Sequence, residues 1–278
     1  MSEKSALIIE GGAIRSIFSA GLLDGFKQYK FNPFDFYIGV SGGAYNLLNY
    51  INQQSLSSHL IYKRLINDAK FINTKRYLKG GHLIDIDYLN QNIFNHHGFS
   101  FHVDDNDFRK LHIVTTSVDS GLANYIQSSK KNINALLKAT AALPLLYREF
   151  PKVEGIKMTD GGIADGIPVK QAIRMGATRI LVVRSRHHAY KKTDTLMHRY
   201  IRWRLRRFPC LVNTMKERLD IYHNTIALIN QPPEGIEIIE VCPPTDFKMP
   251  RFSCKPDLLE QGYQLGKVYS GHVIKQWC

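Results

Sequence analysis

Apolar positions fall into two patterns that alternate along the chain: short β-branched runs and longer stripes with helical spacing. Ala6-Leu7-Ile8-Ile9 is a run of the first kind, closed by Gly11-Gly12. From Ile14 to Tyr29 the apolar residues Phe18, Leu22 and Phe26 stand four apart, on one face of a helix. Phe36-Tyr37-Ile38-Gly39-Val40 predicts a second strand that runs directly into Ser41-Gly42-Gly43. A helical pattern through Ala44, Leu47, Leu48 and Ile51 follows it.

The alternation continues downstream. Residues 111–118 and 123–127 read as strands, and residues 134–142 as a helix stopped by Pro144. Residues 156–159 form a short strand before another glycine turn. Pro168 opens a helix to Met175, where its missing N–H costs nothing. Residues 179–184 (RILVVR) are a buried strand. Near-continuous apolar strands separated by helices predict an α/β fold with a mainly parallel sheet covered on both faces.

From about Arg186 the character changes. Eight arginines and lysines crowd residues 186–207, with Asp194 as the one acid among them. A helix over 211–229, a strand over 236–241 and a helix over about 256–275 complete the pattern. The chain thus divides into an α/β domain, residues 1–185, and a basic, mostly helical extension, residues 186–278, packed on the same core.

Composition narrows the reading. The apolar share of 44% and charged share of 22% are those of a soluble globular protein. No run approaches the roughly eighteen apolar residues that a membrane span needs. The charged start, followed by about five apolar residues, is too short for a secretory signal, so a cytoplasmic location is expected. The four cysteines, Cys210, Cys242, Cys254 and Cys278, have no zinc-site spacing and are expected to be reduced. A formal charge of +13 predicts attraction to an anionic partner without choosing among lipid, nucleic acid and metabolite.

Three short motifs carry candidate chemistry. Gly39-Val40-Ser41-Gly42-Gly43 fits G-x-S-x-G, where a tight strand-to-helix turn holds a serine hydroxyl clear of the sheet. Gly39 and Gly43 are its elbow glycines, and the following helix N-terminus places N–H groups near the reacting oxygen. Gly11-Gly12-Ala13, after the first strand, can offer backbone N–H groups to an oxyanion, and Arg15 can orient an anionic substrate group. Neither G-x-G-x-x-G nor G-x-x-x-x-G-K-[ST] is present, which disfavours nucleotide binding. Asp160-Gly161-Gly162 places a carboxylate at a strand end, where it could accept a serine proton. Each motif has a plain structural alternative: a glycine turn around a serine, a surface arginine, a turn aspartate. Asp119 and Asp165 are read as turn or cap residues. The histidines that follow Asp160 (His187, His188, His198, His223, His272) lie in no recognisable triad motif.

Together and in this order, the three motifs resemble the patatin-like phospholipase family. The resemblance extends from Leu7 to about Val183 and includes Ala142-Leu143-Pro144 and the stretch DGGIADGIP from Asp160 to Pro168. It implies a three-layer α/β/α fold and a Ser–Asp dyad without histidine that cleaves acyl esters of phospholipids or related lipids. Carried over by position, Ser41 is the nucleophile and Asp160 the base. Gly12 and Ala13 supply the oxyanion hole, and Gly11 shapes its turn. No metal or organic cofactor is implied. Two positions depart from the family's GGGxRG loop: Ala13 replaces its third glycine and Ser16 its last. They keep open a catalytically weak lipid-binding or regulatory protein on the same fold; an acyltransferase stays open as well, because its first half-reaction is the same.

The basic segment supports a further expectation. Met197, Ile201, Leu205 and Phe208 can share one helical stripe, with arginines, Tyr200 and Trp203 on other faces. Such a helix suits peripheral contact with an anionic membrane surface, or it packs its stripe on the core. No nucleic-acid motif accompanies the charge, so no specific nucleic-acid partner is expected.

Overall fold

The β-branched runs become the centre of one eight-stranded sheet, seen in a computed structural model that describes residues 3–52, 57–95, 104–252 and 255–278. In chain order the elements are β1 (Ser5–Ile9), α1 (Ile17–Gln28), β2 (Phe36–Val40), α2 (Gly42–Ile51), α3 (Ser58–Asn67), α4 (Thr74–Leu78), α5 (Ile86–Asn95) and α6 (Asp105–Lys110). There follow β3 (Leu111–Ser117), β4 (Ala123–Gln127), α7 (Ile133–Ala141), β5 (Lys152–Val153), β6 (Ile156–Asp160), α8 (Val169–Arg174) and β7 (Arg179–Val183). The basic extension supplies α9 (Leu196–Arg204), α10 (Pro209–Asn230), β8 (Glu237–Val241) and α11 (Pro256–Trp277).

The strands lie in the order β5-β6-β3-β2-β1-β7-β8, with β4 also paired to β3. The run from β3 through β2, β1 and β7 to β8 is parallel, with Leu7 opposite both Tyr37 and Leu181. Alternate side chains on these strands serve opposite faces, as the pleat requires. Leu7, Ile9, Leu181 and Val183 pack with α1, α2 and α7, whereas Ala6, Ile8, Ile180 and Val182 pack with α8 and α10. The result is a three-layer α/β/α architecture.

Two strands share one edge of β3. Its first half pairs with β2 (Val114 opposite Val40), and its second half pairs antiparallel with β6 (Thr115 opposite Asp160). β2 and β6 therefore meet end to end, and their last residues face each other across this junction.

The extension is built into the same body. β8 continues the sheet beside β7, and α11 lies against α1 on glycine surfaces. A Cβ at Gly21 would collide with the Tyr263 carbonyl oxygen, and one at Gly266 with that of Phe18, so the two helix backbones touch. No helix among the described residues is long and apolar enough to cross a membrane. Cys210, Cys242 and Cys278 form no disulfide among the described residues, and Cys254 lies outside them.

The strands and long helices read from the sequence are present, most ends agreeing within one or two residues. Two readings change. The proposed helical stripe from Met197 to Phe208 is interrupted, because α9 ends at Arg204. Ile201, Leu205 and Phe208 pack against Val118, Ile163 and Leu211, whereas Met197 stays exposed. The long stretch between α2 and β3, unassigned from sequence, holds the four short helices α3 to α6.

Candidate active site

Because β1 and β2 are parallel neighbours, the loops that follow them emerge side by side at the C-terminal edge of the sheet, the usual site edge of such folds. One loop is Gly11-Gly12-Ala13, and the other is the Val40–Gly43 elbow. Gly11 faces the elbow so closely that a Cβ there would lie 2.8 Å from the Val40 carbonyl oxygen and 2.9 Å from Ser41 Cβ. Gly39 and Gly43 are closed in by Ala44 and by the Ile9 carbonyl, which lets α2 begin immediately behind the serine.

Ser41 has φ 50° and ψ −127°, a conformation unfavourable to an L-residue with a side chain. Its backbone N–H donates to Thr140 Oγ1 at 2.9 Å, and the Thr140 hydroxyl donates to the Val114 carbonyl at 2.6 Å. This relay from α7 to β3 holds the elbow in its strained shape. Ala13 also adopts a left-handed φ of 51°, and a short 3-10 turn, Ala13–Ser16, follows it into α1. Among the described residues the N–H groups of Gly12 and Ala13 have no hydrogen-bond partner, whereas that of Ile14 donates to the Arg251 carbonyl at 3.1 Å.

Asp160 reaches this corner from the other side, at the end of β6. Gly161 permits the turn there, since a Cβ would overlap the Val114 carbonyl. Asp160 Oδ1 accepts from the Gly162 N–H at 2.8 Å, which fixes the carboxylate plane. The Ser41 hydroxyl is near enough to favour the ionised form. Oδ2 nonetheless makes no well-formed hydrogen bond among the described residues, a looseness common at catalytic pairs before substrate binds. Burial is the largest influence on Asp160 and raises its pKa above the ordinary 3.8; Arg251, the Gly162 N–H, Arg218 and the Ser41 hydroxyl oppose it.

No described histidine is hydrogen-bonded to Ser41 or Asp160. His96, His97 and His102 lie outside the described residues. Asp165 is engaged elsewhere, accepting from the Tyr125 hydroxyl at 2.7 Å and from the Ile167 N–H, and Asp119 is exposed in a turn. Arg15 is half-buried beside the loop, and burial, then Arg186 and Arg251, push its pKa down to about 10.

Ser41 and Ala13 also form part of the wall of a cleft of about 920 Å³, open mouth included. Ile61, Tyr62 and Leu65 of α3, Ile86, Leu89 and Ile93 of α5, and Leu143 are among its apolar lining residues. No Asp, Glu, Lys, Arg or His is among its described lining residues. Its buried tyrosine hydroxyls are satisfied, Tyr45 by Asn90 and Tyr62 by Asn46.

A serine on a strained strand-to-helix elbow, met by an aspartate from an antiparallel strand beside a glycine loop, places this protein among the α/β/α folds with a Ser–Asp pair at the sheet edge. The chain belongs to the patatin-like phospholipase family, which its residues 7–173 match. Residues 208–277 match a second family, described as a domain of unknown function (DUF6363). The chain is 32% identical over 273 residues to the uncharacterized protein YjjU of Escherichia coli (strain K12), an alignment covering 97% of this chain and 76% of that protein. VipD from Legionella pneumophila superposes with a TM-score of 0.48 and 11% identity, over 99% of this chain and 67% of VipD.

Thr140, Glu10 and Ser185 escaped the sequence reading. Glu10 accepts from the Ser185 N–H at 2.7 Å and from its hydroxyl at 3.2 Å, and the same hydroxyl donates to the Gly11 carbonyl. These bonds fasten the glycine loop to the end of β7. The one available signal was a polar residue at each of two buried strand ends, Glu10 after LII and Ser185 after LVVR.

Proposed function

We propose that the protein is a serine hydrolase of acyl lipids. One observation carries the reading: the hydroxyl opposed to a desolvated carboxylate opens onto a cleft whose described lining carries no charged side chain. That cleft suits an acyl chain, which it would take out of water at about 25 cal/mol per Å² of apolar surface buried. In the reaction Ser41 Oγ attacks the ester carbonyl while Asp160 takes its proton. The unoccupied N–H groups of Gly12 and Ala13 receive the developing oxyanion. Collapse of the intermediate expels the alcohol, which recovers the proton from Asp160. Water then repeats the sequence on the acyl-enzyme and releases the fatty acid.

The test is labelling by a fluorophosphonate together with hydrolysis of a medium-chain ester. Wild type should be labelled and active, and Ser41→Ala should lose both properties. Asp160→Asn should be at least about a hundredfold slower, the scale of a lost general base. A folded wild type that takes no label overturns the reading.

The lipid reading has a companion at the surface. Leu196, Met197, Tyr200 and Trp203 of α9 are all more than half exposed, at 79%, 62%, 51% and 57%, among Arg199, Arg204 and Arg206. We propose that this face rests on anionic membrane surface, with the aromatics at headgroup level and the arginines near phosphates.

A further inference from the structure

Five basic side chains from four separate segments converge behind the Ser41–Asp160 pair. They are Arg15 after β1, Arg186 and Lys192 after β7, Arg218 on α10 and Arg251 before α11. Arg251 is the hub, within electrostatic reach of the other four and of Asp160. Its carbonyl accepts the Ile14 N–H, so its segment is tied to the glycine loop. Arg218 Nε donates to the Gly162 carbonyl at 2.8 Å, two residues beyond Asp160. Arg218 and Lys192 also line a second cavity, about 470 Å³, which includes His198, Arg202 and Lys216.

These charges are short of counter-charges. None of the five forms an ion pair among the described residues. The carboxylates within their reach are Glu10, already occupied by Ser185, and Asp160. Arg15 Nε and Arg251 Nε are buried without a hydrogen-bond partner among the described residues. Gathering desolvated like charges costs the fold stability. Burial, with Arg218 next, pushes Lys192 down to about 7, and burial also holds Arg218 and Arg251 below the usual guanidinium value. The missing component is an anion with several acceptor oxygens.

We propose that this cluster is a subsite for the phosphomonoester head of an acyl lipid, with Lys192, Arg218 and Arg251 as its specificity-determining residues. The inference rests on the hydrolase reading only for the placement of the ester at Ser41. The acyl chain then occupies the uncharged cleft and the phosphate lies on the Asp160 side. A phosphomonoester fits better than a zwitterionic head, because the carboxylates within reach of the cluster are already engaged, Glu10 by Ser185 and Asp160 by the Gly162 N–H and its place beside Ser41. Asp194, the one carboxylate of the second cavity, is held by both Arg202 nitrogens at 2.8 and 2.9 Å. Arg218 and Arg251 lie within the segment that matches the domain of unknown function, which thereby acquires a role in substrate choice.

The test uses the full chain carrying Ser41→Ala, so that no turnover is read. Calorimetry would compare monododecyl phosphate, dodecylphosphocholine and inorganic phosphate, each below any micelle concentration. Monododecyl phosphate should bind roughly tenfold or more tighter than either of the others, a difference of about 1.4 kcal/mol. Adding Lys192→Met or Arg251→Gln should remove that preference, and Lys192→Arg should keep it; thermal melts would verify that each variant is folded. Equal binding of the two dodecyl compounds overturns the subsite. Inorganic phosphate binding as tightly as monododecyl phosphate overturns the lipid assignment in favour of a free phosphate ligand. A fluorophosphonate-labelled wild type without head-group preference sinks this inference alone. Head-group preference in a protein that takes no label sinks the hydrolase reading alone.

Discussion

Thr140 Oγ1 accepts the backbone N–H of Ser41 at 2.9 Å while its own proton goes to the Val114 carbonyl at 2.6 Å. One buried hydroxyl on α7 thereby satisfies the elbow of β2 and ties it to β3. It also occupies the Ser41 N–H, whereas the N–H groups of Gly12 and Ala13 have no partner among the described residues. Thr140 is a positioning residue on this geometry. Thr140→Val keeps its shape and leaves the Ser41 N–H buried and unpaired, at a cost of about 1–3 kcal/mol in unfolding free energy. A misplaced nucleophile lowers kcat on the order of tenfold to a hundredfold with little change in KM. Thr140→Ser should recover most of both, which steady-state kinetics and denaturant unfolding would show.

Asp160 is a charge held where the fold would prefer none. Burial lifts its pKa in the folded chain above the ordinary 3.8. As pH falls, the folded state therefore takes up this proton before the unfolded state does. Its contribution to stability is then greatest at low pH and is lost as pH rises from about 4 through the lifted folded value. Asp160→Asn removes the ionised form while keeping an acceptor for the Gly162 N–H. We predict that the variant melts at a higher temperature than wild type at pH 8, with a smaller difference at pH 4. Ester hydrolysis by wild type should rise over the same window, because only ionised Asp160 accepts the Ser41 proton. A variant that melts lower at pH 8 would show that the attraction of Arg251 and Arg218 outweighs burial.

The left-handed Ala13 bears on whether the native loop is impaired. A left-handed φ costs a residue with a Cβ about 1 kcal/mol more than glycine, and glycine gives back part of that in the unfolded chain. Ala13→Gly should therefore raise unfolding free energy by about 0.5 kcal/mol. The N–H is already present and unpaired, so kcat should change less than about threefold, since no oxyanion donor is gained. A sharp gain in turnover would instead revive the reading of a catalytically weak lipid-binding protein.

How much of this was legible in the sequence depends on the range over which each feature is encoded. Ser41, Asp160 and the Gly11-Gly12-Ala13 loop each stand in a local motif, where strand, turn and helix start lie within a few residues. The parallel strands were equally plain, because burial on both faces makes them apolar throughout. Thr140 lies 99 residues from Ser41 in a helix of ordinary composition, and nothing local marks its hydroxyl. Lys192, Arg218 and Arg251 were visible as charge, but tertiary packing alone decides which of 37 basic residues turn inward. Helices α3 and α5 were obscure because part of their apolar surface lines a cleft instead of a dense core, and polar residues dilute the stripe. The interrupted stripe after α9 has a similar origin. Periodicity continues through Leu205 and Phe208, but the chain leaves the helix at Arg204 to seat them under α10.

The exposed face of α9 gives a spectroscopic prediction, because the two tryptophans of the chain differ so sharply in environment. Trp203 is 57% exposed beside Tyr200, whereas Trp277 is 6% exposed and packed against Phe34. Vesicles containing anionic lipid should shift emission to the blue through Trp203 alone, with no comparable shift on vesicles of zwitterionic lipid. Trp203→Phe should abolish the shift while leaving sedimentation with anionic vesicles largely intact, since an aromatic anchor is kept. Arg199→Gln combined with Arg206→Gln should weaken sedimentation by roughly tenfold or more, at about 1 kcal/mol for each cation near the surface. Raising salt should reproduce that loss in wild type, as screening acts on exposed charges. Binding that ignores both the arginines and the salt would show that α9 does not rest on the lipid surface and that its apolar face meets another partner.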